Sequence, residues 1–189
     1  FLSGGWYAPL RDALCRLAVD HAPARPAVLD SGCGEGYYTA GVWAALAAAG
    51  KPPEAAGVDL SKPSLRWAAR REPRAEFAVA SVYHLPVAPA RVDLLLNCFS
   101  PLALEEFLRV LRPGGVLVYS TCTFAPEEDE ESIVRFLLKH SEFSVKKTEA
   151  YEGFAPGRPE WVKLTDEEKE SVSVDRLEAV LASVKDTFR

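Results

Sequence analysis

Cysteine is sparse in this chain and never paired. Positions 15, 33, 98 and 122 are the only four, and no two stand in a C-x-x-C. That spacing excludes the common zinc sites and gives no disulfide framework, so no metal is expected and a reducing, cytoplasmic setting fits best. Long apolar runs are missing too. Nothing reaches membrane-spanning length and no secretory leader heads the sequence, so no membrane partner is expected. Internal repeats and low-complexity tracts are also absent. Excess positive charge is lacking: 22 Lys and Arg face 27 Asp and Glu, a net charge of −5. That balance argues against strong unaided nucleic-acid binding, which needs clustered cations. The chain begins at Phe1 rather than Met, and reads as a domain excised from a longer protein.

What is present is a soluble globular composition, 48% hydrophobic and 26% charged over 189 residues, enough for one domain with a core. Its most informative segment is Val28 to Gly36, VLDSGCGEG. An apolar run ends in Asp30, glycines follow at 32, 34 and 36, and an Ala/Leu-rich helical stretch comes next. Strand, glycine turn and helix in that order shape a backbone that can lie against a nucleotide-like ligand. The dinucleotide fingerprint requires glycine at the sixth position, which is Tyr37 here, so that class fails. The alternating G-x-G-x-G after an acid fits the S-adenosylmethionine (SAM) site of Rossmann-like methyltransferases. Asp30 can hold the ammonium of the cofactor. Asp59, ending the second apolar segment Gly57-Val58-Asp59-Leu60, can accept both ribose hydroxyls, with Leu60 beside it.

The remaining pattern alternates strands and helices. Strands are expected at 27–30, 55–59, 76–80, 92–97 and 116–121. Helices are expected at 10–19, 37–49, 62–71 (Ser61 as N-cap), 102–111 and 127–140. Arg112-Pro113-Gly114-Gly115 reads as the stop of the fourth of these. A sixth strand is expected at 142–148, a loop at 153–161, a capping box at Thr165 to Glu168, and a last helix capped by Asp175. The fold class is therefore α/β: a Rossmann-like doubly wound, mainly parallel sheet in a three-layer α/β/α arrangement, forming a single domain over 1–189. Ligands of such sheets bind beyond the strands' C-terminal ends. Asp30, Asp59, Ser81 and Asn97 all fall there. Ser81, Val82 and His84 would border the adenine. Asn97 would border both cofactor and substrate, with Phe99 beside it. Cys33 reads as a small filler. Trp6 and Tyr7 could stack on a base. Lys62, Arg66, Arg70, Arg71 and Arg74 form a basic cluster, and Glu127 to Glu131 an acidic run; each reads as a solvated helix face.

Several segments carry a family resemblance. FLSGGWYAPLRDAL (1–14), VLDSGCGEGYYT (28–39), GVDLSK (57–62), VASVYHLP (79–86) and LRVLRPGGV (108–116) resemble the bacterial large-subunit rRNA guanine-N1 methyltransferase family. The resemblance implies SAM as cofactor and ribosomal RNA as substrate. That family joins a four-cysteine zinc finger to the N-terminus of this domain, and no such finger is in this sequence. From about Val118 the likeness changes. VYSTCTFAPEEDEE (118–131) and FAPGRPEW (154–161) are similar to the RNA cytosine-5 methyltransferases. There the cysteine of the Thr-Cys pair, here Cys122, attacks C6 of cytosine. The Pro-Cys pair of that family is replaced by Asn97-Cys98-Phe99-Ser100-Pro101. The chain thus reads as an engineered or recombined mosaic of two methyltransferases, with 1–118 as the cofactor half, 119–189 as a C-terminal half of different origin, and a join inside the fifth strand. Asn97 and Cys122 are the candidate catalytic residues. A SAM-binding fold without catalysis is the reading of another class.

Overall fold

The computed structural model describes residues 7–123, 125–147 and 155–187. It resolves into two compact units, one ending at Ser120 and the other beginning at Thr121.

The first unit is built on five parallel strands: β1 (Ala27–Ser31), β2 (Glu54–Asp59), β3 (Glu76–Val79), β4 (Val92–Cys98) and β5 (Leu111–Ser120). Their order is β3-β2-β1-β4-β5, so the doubly wound parallel sheet read from the sequence is borne out. All seven residues of β4 are buried, as a central parallel strand requires. Side chains alternate across it. Val28, Leu94 and Leu96 join the core formed with α1 (Tyr7–His21) and α2 (Tyr37–Ala48), through Leu14, Ala18, Val42 and Leu46. The Lys51 ammonium fixes the end of α1, donating to the Val19 and Ala22 carbonyls at 2.7 Å each. α3 (Lys62–Arg71) opens on Ser61, whose hydroxyl accepts the Ser64 amide as predicted, and closes on Arg70 and Arg71, cations that suit the negative helix end.

The fourth helix differs from expectation. α4 is shorter (Leu104–Val110), and Arg112-Pro113-Gly114-Gly115 lies within β5 instead of forming a loop that stops the helix. Val92 pairs with Leu111, yet Leu94 pairs with Val116, so the tetrapeptide is accommodated as an irregularity in the strand. Pro113 disfavours helix at Arg112, and the ladder to β4 then takes Leu111 into the strand. Asp93 anchors the irregularity, meeting Arg112 at 3.0 Å and accepting the Ala27 amide at 2.8 Å.

The second unit packs α5 (Glu130–Lys139) against α7 (Val174–Ser183) around Val134, Leu137, Val180 and Val184, and α6 (Asp166–Glu170) is tied to α5 by the Arg135–Glu168 ion pair at 2.8 Å. Three expectations change here. Residues 142–147 form no strand, and Thr148, with which the expected strand ended, is outside the described residues. Ser173, not Asp175, caps α7, its hydroxyl accepting the Arg176 amide. The acidic run is not uniformly solvated: Glu130 and Glu131 are buried. Their carboxylates accept the backbone amides of Arg158 (3.1 Å) and Lys163 (3.0 Å), so they order the segment that returns to the helix. The capping box at Thr165 and Glu168 is formed as read.

Candidate cofactor site

Doubly wound sheets open a crevice where strand order reverses, here between β1 and β4. The glycine turn sits at that point and is bound to β2. The Gly32 and Cys33 amides both donate to the Val58 carbonyl at 2.9 Å. The Gly34 amide donates to Asp59 Oδ2 at 2.9 Å, and the Ser61 amide to Asp59 Oδ1 at 2.7 Å. Each carboxylate oxygen therefore has one protein donor and a further lone pair available to a ligand hydroxyl.

The three glycines have left-handed backbones but different tasks. A Cβ on Gly32 would strike Ser100 Cβ, so this glycine admits the loop after β4. A Cβ on Gly36 would stand 3.0 Å from the Ala68 backbone, so this glycine, the N-cap of α2, lets α2 and α3 approach. Only at Gly34 would the added carbon meet nothing within 4 Å. The open face of the turn is at Gly34, beside the Asp59 carboxylate.

Asp30 is 1% exposed and accepts the Thr39 hydroxyl at 2.5 Å. Burial raises its pKa to about 6, against the opposing Thr39 hydrogen bond; the Asp59 charge adds to the rise. Two carboxylates close enough to repel form a site that a cationic group relieves. An ammonium suits it, and so does a sulfonium.

The other sequence candidates fall as follows. Val82 is buried, Ser81 is partly buried, and His84 is exposed, with its amide closing a turn onto the Ser81 carbonyl at 3.0 Å. Leu60 is 72% exposed at the end of β2. Asn97 is fully buried; its amide nitrogen donates to Ser100 Oγ (2.5 Å) and to the Pro101 carbonyl (3.2 Å), while Oδ1 has no partner among the described residues. Ser100 in turn donates to the Ser31 carbonyl at 2.6 Å. The loop after β4 is thus tied to the glycine turn through Ser100, a residue the sequence reading passed over. Phe99, read as a pocket residue, takes φ 61° and sets its ring edge-on to Tyr7 and Tyr38. Trp6 lies outside the described residues. Cys33 is buried as a filler would be, and desolvation raises its thiol pKa. Cys122 belongs to the second unit and is exposed.

Residues 28–115 match the family model described as a methyltransferase domain, and residues 99–172 match that of the 16S rRNA methyltransferase RsmB/F. The fold is shared with a SAM-dependent methyltransferase from Aquifex aeolicus, at TM-score 0.51 and 20% identity over 78% of this chain and 81% of that one. Residues 28–115 therefore match a methyltransferase domain, on a Rossmann-like fold shared with SAM-dependent methyltransferases, and this domain and fold imply S-adenosyl-L-methionine as the cofactor. Among particular relatives, it is 39% identical over 131 residues to the 23S rRNA (guanine(748)-N(1))-methyltransferase of Streptomyces fradiae, covering 68% of this chain and 44% of that protein. It is 34% identical over 104 residues to the malonyl-[acyl-carrier protein] O-methyltransferase of Yersinia pestis, covering 50% of this chain and 36% of that one. The chain spans less than half the length of these curated relatives. Among the described residues no helix is long and apolar enough to cross a membrane.

Proposed function

We propose that this chain is the methyl-transfer part of a ribosomal RNA guanine-N1 methyltransferase acting in the cytoplasm. The observation that carries the reading is the 39% identity over 131 residues to the Streptomyces fradiae enzyme. The cofactor would supply an already activated methyl group, leaving the protein to align the reactants and exclude water. Asp59 would accept the ribose hydroxyls, and Gly34 would leave room for the nucleoside. Asp30 would face the ammonium, and Ser81, Val82 and His84 would border the adenine, with Leu60 at the rim. Asn97 carries a neutral amide that takes up no proton. Its part is to hold Ser100 and Pro101, and so the loop after β4 that would border both cofactor and guanine.

A second reading has its own support. The RsmB/F match covers residues 99–172 and includes Cys122, an exposed thiol able to serve as nucleophile in cytosine-5 methylation. The two family matches meet over residues 99–115, which supports a mosaic origin for the chain. One natural gene with this sequence would end that idea.

The test begins with calorimetric titration of S-adenosylhomocysteine into the parent chain and Asp59→Ala. It continues with methylation of a large-subunit rRNA fragment and mass mapping of the product. N1-methylguanine is expected. 5-Methylcytosine would transfer the assignment to Cys122. Cofactor binding without any methylated RNA would leave a SAM-binding fold and overturn both.

A further inference from the structure

The net charge of −5 conceals a local excess of the other sign. Five cations fall between residues 62 and 74, and α3 carries four of them. Two of the five are committed within the fold. Arg71 lies 3.8 Å from the Glu35 carboxylate and donates to the Glu35 carbonyl, while Arg74 pairs with Glu72 at 2.7 Å. Lys62, Arg66 and Arg70 differ: all three are exposed, and among the described residues none makes an ion pair or hydrogen bond. They recur at every fourth position, so they form one row along the helix, about 6 Å apart and about 12 Å end to end. Leu65 and Ala68 turn the opposite side of the helix into the core.

The neighbouring row carries Trp67, a residue 56% exposed, with the Arg70 guanidinium 5.1 Å from the ring centre. A large aromatic face in water beside unpaired cations is poor design for a merely solvated helix. It is the pairing that single-stranded nucleic acid uses: phosphates on the cations, a base on the ring. The row also starts at the right place. Lys62 follows Asp59 by three residues, so the cation row begins at the rim of the cofactor cradle.

We infer that the exposed row Lys62, Arg66 and Arg70 with Trp67 docks single-stranded RNA and leads it toward the cofactor cradle. This deepens the RNA-methyltransferase reading and rests on it.

The experiment is fluorescence anisotropy of a labelled, mixed-sequence single-stranded RNA against the full 189-residue chain over a salt series. K62Q/R66Q/R70Q should reduce the slope of log K against log salt by about 2, since each single-strand phosphate contact contributes about 0.7. W67A should weaken binding about five- to 100-fold, the usual loss of one stacked base. Both variants should bind S-adenosylhomocysteine as the parent does, which establishes that they fold. A parent that binds RNA while the triple variant keeps its full salt slope overturns this surface and leaves the RNA reading standing. Preference for a duplex of the same sequence also overturns it. A parent that binds no RNA at all overturns the RNA reading, and this surface falls with it.

Discussion

Asp59 accepts the amide of Gly34 at 2.9 Å, linking the end of β2 to a turn 25 residues earlier in the chain. The carboxylate that would read the ribose is thus also the clasp of the glycine turn. Asp59→Ala leaves the Gly34 and Ser61 amides without their acceptor, at about 1–3 kcal/mol each if they stay dry. A fall in melting temperature is expected together with loss of S-adenosylhomocysteine binding. Asp59→Asn keeps one carbonyl oxygen and should recover much of the melting temperature while binding stays weak. Thermal denaturation and calorimetry on the two variants check this, and equal melting temperatures would show that the clasp is not stabilising.

The glycines should separate stability from binding. Gly36→Ala must place a methyl 3.0 Å from Ala68 in a left-handed backbone, so a loss of about 2–4 kcal/mol is expected. Gly34→Ala meets open space and carries only the backbone cost of about 1–2 kcal/mol, yet its methyl enters the ligand's side of the turn. Denaturant titration should rank Gly36→Ala as the less stable. Calorimetry should find Gly34→Ala the folded variant that no longer takes up the cofactor product.

Asp30 ties stability to pH. Its folded pKa, about 6, lies above the ordinary 3.8 because the carboxyl is buried. The proton is bound more tightly in the folded chain, so this contribution is fully present below pH 3.8 and is lost as pH rises through 6. Above that window the ionised group costs about 3 kcal/mol, which Asp30→Asn avoids. The variant should therefore gain stability relative to the parent between pH 4 and pH 7, as followed by urea midpoints across that range. A constant difference would mean that Asp30 titrates as a normal carboxyl.

Thiol chemistry should single out Cys122. It is exposed, while Cys98 is buried with its pKa raised to about 12 and Cys15 is half-buried with its own raised to about 11, both by desolvation. Ellman's reagent on the native chain should titrate one fast thiol, lost in Cys122→Ser. If guanine N1 is the target, that variant keeps full methylation activity; its inactivation would favour cytosine chemistry.

The sheet was legible because buried parallel strands announce themselves as short apolar runs, as Val92 to Asn97 does, and because Asp30 and Asp59 close two of them. Less legible was anything decided by a distant partner. Arg112 to Gly115 has the composition of a helix stop, but pairing of Leu111 with Val92 places it in a strand. Glu130 and Glu131 look like solvated acids, yet the amides that bury them lie 28 and 32 residues away. Ser100 carries no motif of its own. Its place over Gly32 depends on a bond to Ser31, 69 residues earlier. Asp175 and Ser173 are both good caps, and only backbone geometry selects the serine.

Phe99 has a left-handed backbone that a bulky residue adopts only at a cost of about 1–3 kcal/mol. Its ring meets Tyr38 at 5.9 Å and Tyr7 at 5.7 Å, edge-on in both cases. The two tyrosines therefore act as a brace: contacts made by helices α1 and α2 hold a peptide bend after β4 in a shape it would otherwise leave. Shortening either ring would be felt in the bend itself, and through Asn97 and Ser100 in the glycine turn, well beyond the apolar surface removed.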